Sequence, residues 1–254
     1  MPNCLNNMTW EALKRLGMAA PATVHLGDFK DDVLKNGNPV QFRVIGINHD
    51  VTSDGRIVPL TWEMVDCMPS RYPWCRNGDV DGSWPDSYLF RAMNDPDGDV
   101  YRLMPDGIIE VAVPIVKSTA KVTDDSFEIV NSTAKFFIKS EVETFGRAIY
   151  SAPGEGHWYG WYRQEGVPWH KLRNGGREYT MERSPVKGCP GSFCNVNTNG
   201  NANNNNARNS NGLAPDFVRP AMAMGQQTVA QGRVKHDLYE RRDTSRDESP
   251  KLSL

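Results

Sequence analysis

Ten asparagines fall between residues 195 and 211, in the phrase NVNTNGNANNNNARNSN. Asparagine suits neither a helix interior nor a strand core, because its amide competes with the backbone for hydrogen bonds. A run of this density therefore belongs at a solvent-facing surface. Composition alone would allow a low-complexity polar linker. Two features favour a displayed hairpin: turn signals stand at Asn199-Gly200 and Asn211-Gly212, and apolar Phe193 and Leu213 to Phe217 bracket the run. Phe193, Val196 and Thr198 alternate into the first bend, as one arm of a hairpin would.

Each asparagine side chain offers two donors and an oxygen with two lone pairs. A patch of them can bond sugars, peptides or polar protein surfaces without carrying charge, as Ser, Gly and Asn do in antibody paratopes. The expected ligand contacts are Asn195, Asn197, Asn199, Asn201, Asn203, Asn204, Asn205, Asn206, Asn209 and Asn211, with Arg208 as a central cation. Tyr159 and Trp161, from the aromatic stretch HWYGWYRQEGVPWH at 157–170, are their expected neighbours. The other aromatics of that stretch are expected to pack a loop-rich half of the molecule.

The rest of the composition narrows the function classes. With 254 residues, 39% hydrophobic and 24% charged, the chain can bury a full core. A net charge of -2 encodes no general attraction to nucleic acid or anionic membrane. No run reaches the roughly 18 apolar residues of a spanning helix, so membrane insertion is not expected. MPNCLNNMTWEALKRLG lacks the basic-then-apolar order of a secretion signal, so synthesis is expected in the cytoplasm.

Chemistry-bearing motifs are sparse, and neither catalytic residues, nor a metal, nor a cofactor is expected. The five cysteines are an odd number, against a disulfide framework. Cys189 and Cys194 lack redox or zinc spacing, and Cys194 reads as a buried thiol. The five histidines are scattered, and no phosphate loop, nucleophile elbow or HExxH is present. His49-Asp50 is read as a structural hydrogen-bonding pair. Asp79-Val80-Asp81-Gly82 and Asp95-Pro96-Asp97-Gly98-Asp99 lack the closing glutamate of a calcium loop and read as turns.

Periodicity predicts an α+β molecule. A helix over 8–17 is capped by Thr9 and closed by Gly17. A hairpin turns at Asn36-Gly37, and Ser53-Asp54-Gly55 makes a second bend. A helix is expected to start within 61–68, and helical pieces are expected over 87–109. Strands are expected over 111–122, 127–130 and 135–138. Ser140 and Glu143 form a capping box. Loops fill 150–190, a hairpin occupies 192–218, and the polar sequence after Ala221 reads as a flexible tail.

Several phrases resemble a family of C-type-lectin-like domains found in phage tail regions and prophages. They are MTWEALKRLGMA (8–19), VIGINHD (44–50), KSEVETFG (139–146), YSAPGEG (150–156), RSP (183–185) and FCNVNTNGNA (193–202), in the family's order. The wider fold includes formylglycine-generating enzymes and variable proteins diversified by retroelements that mutate template adenines. The resemblance implies a C-type-lectin-like fold over 8–220, after a 1–7 N-terminal arm and before a 221–254 tail. It also implies a ligand-binding, hypermutable segment at 195–211, since asparagine codons are adenine-rich. The chain departs from the family at Tyr179-Thr180-Met181-Glu182, where the family carries a Trp-Trp-Leu phrase, and at Asp216-Phe217-Val218, where it ends near Gly-Phe-Cys.

The expected function is therefore non-enzymatic. The chain would be a tail-associated receptor-binding protein of a phage or prophage particle, contacting a host-surface protein or glycan and other virion proteins. A trimer would fit the family. The alternatives are a virion decoration or adaptor without a receptor and, further off, a cysteine-dependent oxidase of the formylglycine-generating type.

Overall fold

Two glycine turns set up the first sheet. Asn36-Gly37, with Gly37 at φ 86°, turns β1 (Phe29–Val33) back into β2 (Pro39–Ile47) as an antiparallel pair. The computed structural model describes residues 1–219, and the tail expected at 221–254 lies outside them. Ahead of the hairpin, Thr9 accepts a bond from the Ala12 amide and starts α1 (Trp10–Arg15). Gly17, at φ 55°, lets the chain leave that helix.

Residues 1–7, expected as an N-terminal arm, are bonded to the body. Leu5 donates to the Phe29 carbonyl at 2.8 Å and is buried, and the Asn3 amide donates to Asp28 at 2.6 Å.

The 61–68 stretch was expected to open a helix but forms β3 (Leu60–Met64), all five residues of which are buried. The reason is a strand period masked by polar residues. Trp62 and Met64 join the apolar core, whereas Thr61 bonds Asp50 and Glu63 meets three cations. Both faces of the strand are thus covered: the apolar side chains of the short LTWEM alternation enter the core and its polar ones are buried against partners.

Further along come β4 (Arg71–Pro73), α2 (Tyr88–Asn94), α3 (Asp106–Val111), β5 (Ile115–Val122), β6 (Phe127–Ala134), β7 (Phe136–Phe137) and α4 (Glu141–Phe145). Helix α4 begins on the expected capping box of Ser140 and Glu143. The expected loops of 150–190 contain three strands, β8 (Lys171–Arg173), β9 (Gly176–Glu178) and β10 (Thr180–Val186). Strand β10 escaped notice because its sequence, TMERSPV, is polar although six of its seven residues are buried. The last strands are β11 (Cys189–Val196), β12 (Ala202–Asn206), β13 (Ser210–Gly212) and β14 (Asp216–Arg219).

Mixed α/β architecture results, mostly strands in open sheets with few helices. One five-stranded sheet runs β1-β2-β3-β14-β7 and another β12-β11-β10-β13-β4, flanked by the β5-β6 and β8-β9 ribbons. All pairs are antiparallel except β10 with β13. Trp10 anchors the core edge-on to Phe42, Trp62 and Phe217, with ring centroids 5.1–6.0 Å away. Among the described residues no helix is long and apolar enough to cross a membrane.

Candidate functional site

The asparagine-rich hairpin is fixed at its base by aromatic packing. Phe193 on β11 stacks on Trp74, whose indole nitrogen donates to the Glu182 carbonyl on β10 at 2.8 Å. Strand β12 pairs with β11 in the register Phe193 to Asn205 and Asn195 to Asn203, and it forms the outer edge of its sheet. The tip is a three-residue loop, Thr198 to Gly200, closed by the Asn197 amide on the Asn201 carbonyl at 2.9 Å. Gly200 sits there at φ 88°, the left-handed position that such a loop needs before its second strand.

The asparagines divide into those that build the hairpin and those it presents. The Asn197 side-chain oxygen accepts from the Asn199 and Asn201 amides at 2.9 and 3.0 Å. Asn205 accepts from its neighbour Asn206 and from the Asn209 side chain, and it donates to Asn211 at 3.3 Å. Asn206 caps the next turn by accepting from the Arg208 amide at 2.9 Å. These side chains frame the loop, the local side-chain-to-backbone bonding that asparagine favours.

Two expected contacts are corrected outright. Asn195 and Asn211 are buried, at 2% and 8% exposure, so neither belongs to the surface. Both line a water-sized cavity of about 10 Å³ under the hairpin, with Trp74, Met181 and Phe193. The Asn195 amide has no partner among the described residues. Asn211-Gly212 is also not a turn: Gly212 lies in β13, and its amide donates to the Tyr179 carbonyl. Among the described residues, the side chains of Asn199, Asn201, Asn203 and Asn204 make no hydrogen bond; Asn199, Asn201 and Asn204 are exposed at the tip and along the edge strand, and Asn203 is half-buried.

The other expected contacts also move. Arg208 is not a free cation, because it holds Asp81 through both carboxylate oxygens at 2.9 and 3.0 Å. Tyr159 is fully buried, donating to Asp50 at 2.9 Å and accepting from Lys117 at 2.7 Å. Trp161 is half-buried against Gly27, with the Arg43 guanidinium 4.9 Å from its ring centroid. Trp169 adjoins the hairpin tip, its Cβ 3.6 Å from where a side chain at Gly200 would stand.

Beneath this surface is a buried ionic network that the sequence did not announce. Lys117 binds Asp50 at 2.6 Å and Glu143 at 3.0 Å, while Arg183 binds Glu143 at 2.5 Å and the Ile138, Ser118 and Glu155 carbonyls. Ser184 bonds the Glu155 carboxylate, and Ser140 donates to the Glu155 carbonyl at 2.6 Å. The phrases VIGINHD, KSEVETFG, YSAPGEG and RSP thus supply scaffold side chains that meet one another, not a ligand. His49, Asp50 and Glu143 bring ligand-type atoms within 4.8 Å of one another, and the Lys117 ammonium already lies on both carboxylates. The His49 ring stacks on Tyr159, and burial pushes its pKa down.

A second network centres on Glu63, which contacts Arg43, Lys139, Lys171 and Tyr162 at 2.5–3.1 Å, with Asp216 beside Lys139. The three cations hold the Glu63 carboxyl well below its usual range against the opposing effect of burial.

Cys194 is buried, and burial with the Glu141, Glu182 and Glu155 carboxylates holds its thiol well above the ordinary range. That environment disfavours the thiolate that cysteine chemistry requires. Cys189 is exposed, its thiol 3.5 Å from the Ser192 hydroxyl. No family model, no curated protein and no solved structure matches this chain.

Proposed function

We propose that this chain is a non-enzymatic display protein of C-type-lectin-like fold, carried on a phage or prophage tail, that binds a host-surface protein or glycan. The observation that carries the reading is the division of labour in the hairpin. Its framing asparagines are engaged, whereas the side-chain amides of exposed Asn199, Asn201 and Asn204 and of half-buried Asn203 have no hydrogen-bond partner among the described residues. A ligand can take up those amides without the frame changing. The sequence resemblance supports both the fold and the tail association, and the shielded Cys194 thiol supports a role without cysteine chemistry.

Each amide contact contributes about 1 kcal/mol, so a single site is weak and useful attachment comes from many copies on one particle. Changing all four residues to alanine should weaken attachment of purified protein to the native host roughly 10²- to 10³-fold. The far-ultraviolet circular dichroism and melting temperature should stay put, because none of the four side chains makes a hydrogen bond among the described residues. Attachment that survives the quadruple change would sink the site assignment and favour an adaptor role within the virion.

A further inference from the structure

Beside the hairpin tip lies a cleft of roughly 610 Å³ that the asparagine surface does not use. Its walls are two half-buried indoles, Trp158 and Trp169. Trp169 is held edge-on to Phe145 at 4.8 Å, and Trp158 is pinned by an indole bond to the Thr144 carbonyl at 2.9 Å and by close packing on Gly146. Both rings are therefore fixed before any ligand arrives, which lowers the ordering cost of binding. The volume lies in the range of small-ligand sites.

The rim carries charge that the protein leaves uncompensated. Arg147 and Arg163 are exposed lining residues, and neither makes an ion pair among the described residues. The Arg163 guanidinium stands 5.7 Å from the Trp158 ring centroid, on the aromatic face. Glu165 is the acidic residue on the same rim, so the guanidiniums outnumber it. Half-buried indoles in a cleft wall ask for a ligand with apolar ring faces, and two exposed guanidiniums on its rim ask for a carboxylate or phosphate.

We infer that this cleft binds an anionic saccharide, a sugar ring bearing a carboxylate or a phosphate, stacked on Trp158 and Trp169 and held by Arg147 and Arg163. The inference rests on the display reading for its biological sense, but it uses different side chains and fails separately. Titration of the full chain is followed by tryptophan fluorescence with trigalacturonate, glucose 1-phosphate, maltotriose and adenosine monophosphate as probes.

The expected result is saturable quenching by trigalacturonate or glucose 1-phosphate and none by maltotriose. Which of the two acids binds tells a carboxylate from a phosphate source. The double variant Arg147→Ala/Arg163→Ala, confined to exposed side chains, should weaken that binding at least tenfold. The quadruple asparagine variant should retain it within a few-fold, so loss of host attachment there leaves the cleft assignment standing. Three results would overturn the inference: no quenching by either acid, equal quenching by maltotriose, or quenching confined to the nucleotide. Acid binding unchanged in the arginine double variant would do the same.

Discussion

Glu182 shows what a single residue can hide. Its two carboxylate oxygens have no hydrogen-bond partner among the described residues, and it lies 2% exposed on β10. Burial, reinforced by the Glu141 and Glu155 carboxylates, raises its pKa from 4.5 to about 8. A raised carboxyl pKa means the protonated form is favoured in the fold. Its stabilising effect is complete below the unfolded value of 4.5 and is lost as pH climbs from there to about 8. Glu182→Gln should therefore stabilise the protein at pH 8.5 by a few kcal/mol, at about 1.4 kcal/mol per pKa unit, and change little at pH 4.5. Urea unfolding at the two pH values measures this, and equal effects at both would show that Glu182 is ionised in the fold. Sequence could not reveal it, because a glutamate in TMERSPV is indistinguishable from a solvated one. Ser140 and Glu143 were legible for the opposite reason: their partners are three residues apart.

At the scale of elements, legibility follows the same rule of locality. Asn36-Gly37 and Asn199-Gly200 are turns because the left-handed glycine completes a bend made by its own neighbours. Asn211-Gly212 has the same letters and is a strand. A side chain at Gly212 would stand 2.5 Å from Glu178 Cγ and 2.7 Å from Cys67 Sγ, so this glycine permits a close approach between distant segments. The two positions should respond differently to alanine. Gly200→Ala meets only ordinary contacts of 3.5–3.6 Å and suffers from its φ of 88°, a cost of roughly 1–2 kcal/mol. Gly212→Ala forces backbone and side chains apart and should cost about 2–3 kcal/mol, with β13 loosened from β10. Thermal denaturation of both variants, with amide exchange at Gly212, ranks them, and the reverse order would mean that β13 gives way easily. Strands β3 and β10 escaped the sequence because their polar side chains are paired with distant residues, as Glu63 is with Arg43 and Arg183 with Thr119. The bend at Asn199-Gly200 is where the sequence puts it, yet composition could not separate the amides that frame the hairpin from those without partners.

For the whole molecule, two families of buried carboxyls set opposing limits on pH. Glu63 is held well below 4.5 by Arg43, Lys139 and Lys171, and Glu143 at about 2 by Arg183 and Lys117, in both cases against burial. Their contribution is present above the unfolded value of 4.5 and is lost as pH falls through the folded one. Burial raises Glu155 to about 7, Glu182 to about 8 and Asp216 to about 7, so their contribution is complete at acid pH and disappears on the way to neutrality. Lys171, lowered by burial to about 8, adds a penalty below that pH that is relieved between about 8 and 10.5. Stability should therefore peak near pH 5, decline towards pH 8 by several kcal/mol, and recover partly towards pH 10. A series of urea midpoints from pH 3 to 10 draws that curve, and a flat line between 5 and 8 would show that the three carboxyls are not raised in the fold. None of these groups touches Asn199, Asn201, Asn203 or Asn204. The proposed contact residues can change while the buried ionic centre keeps the same pH profile. The quadruple alanine variant should trace a curve parallel to the parent's, within about 0.5 kcal/mol at every pH.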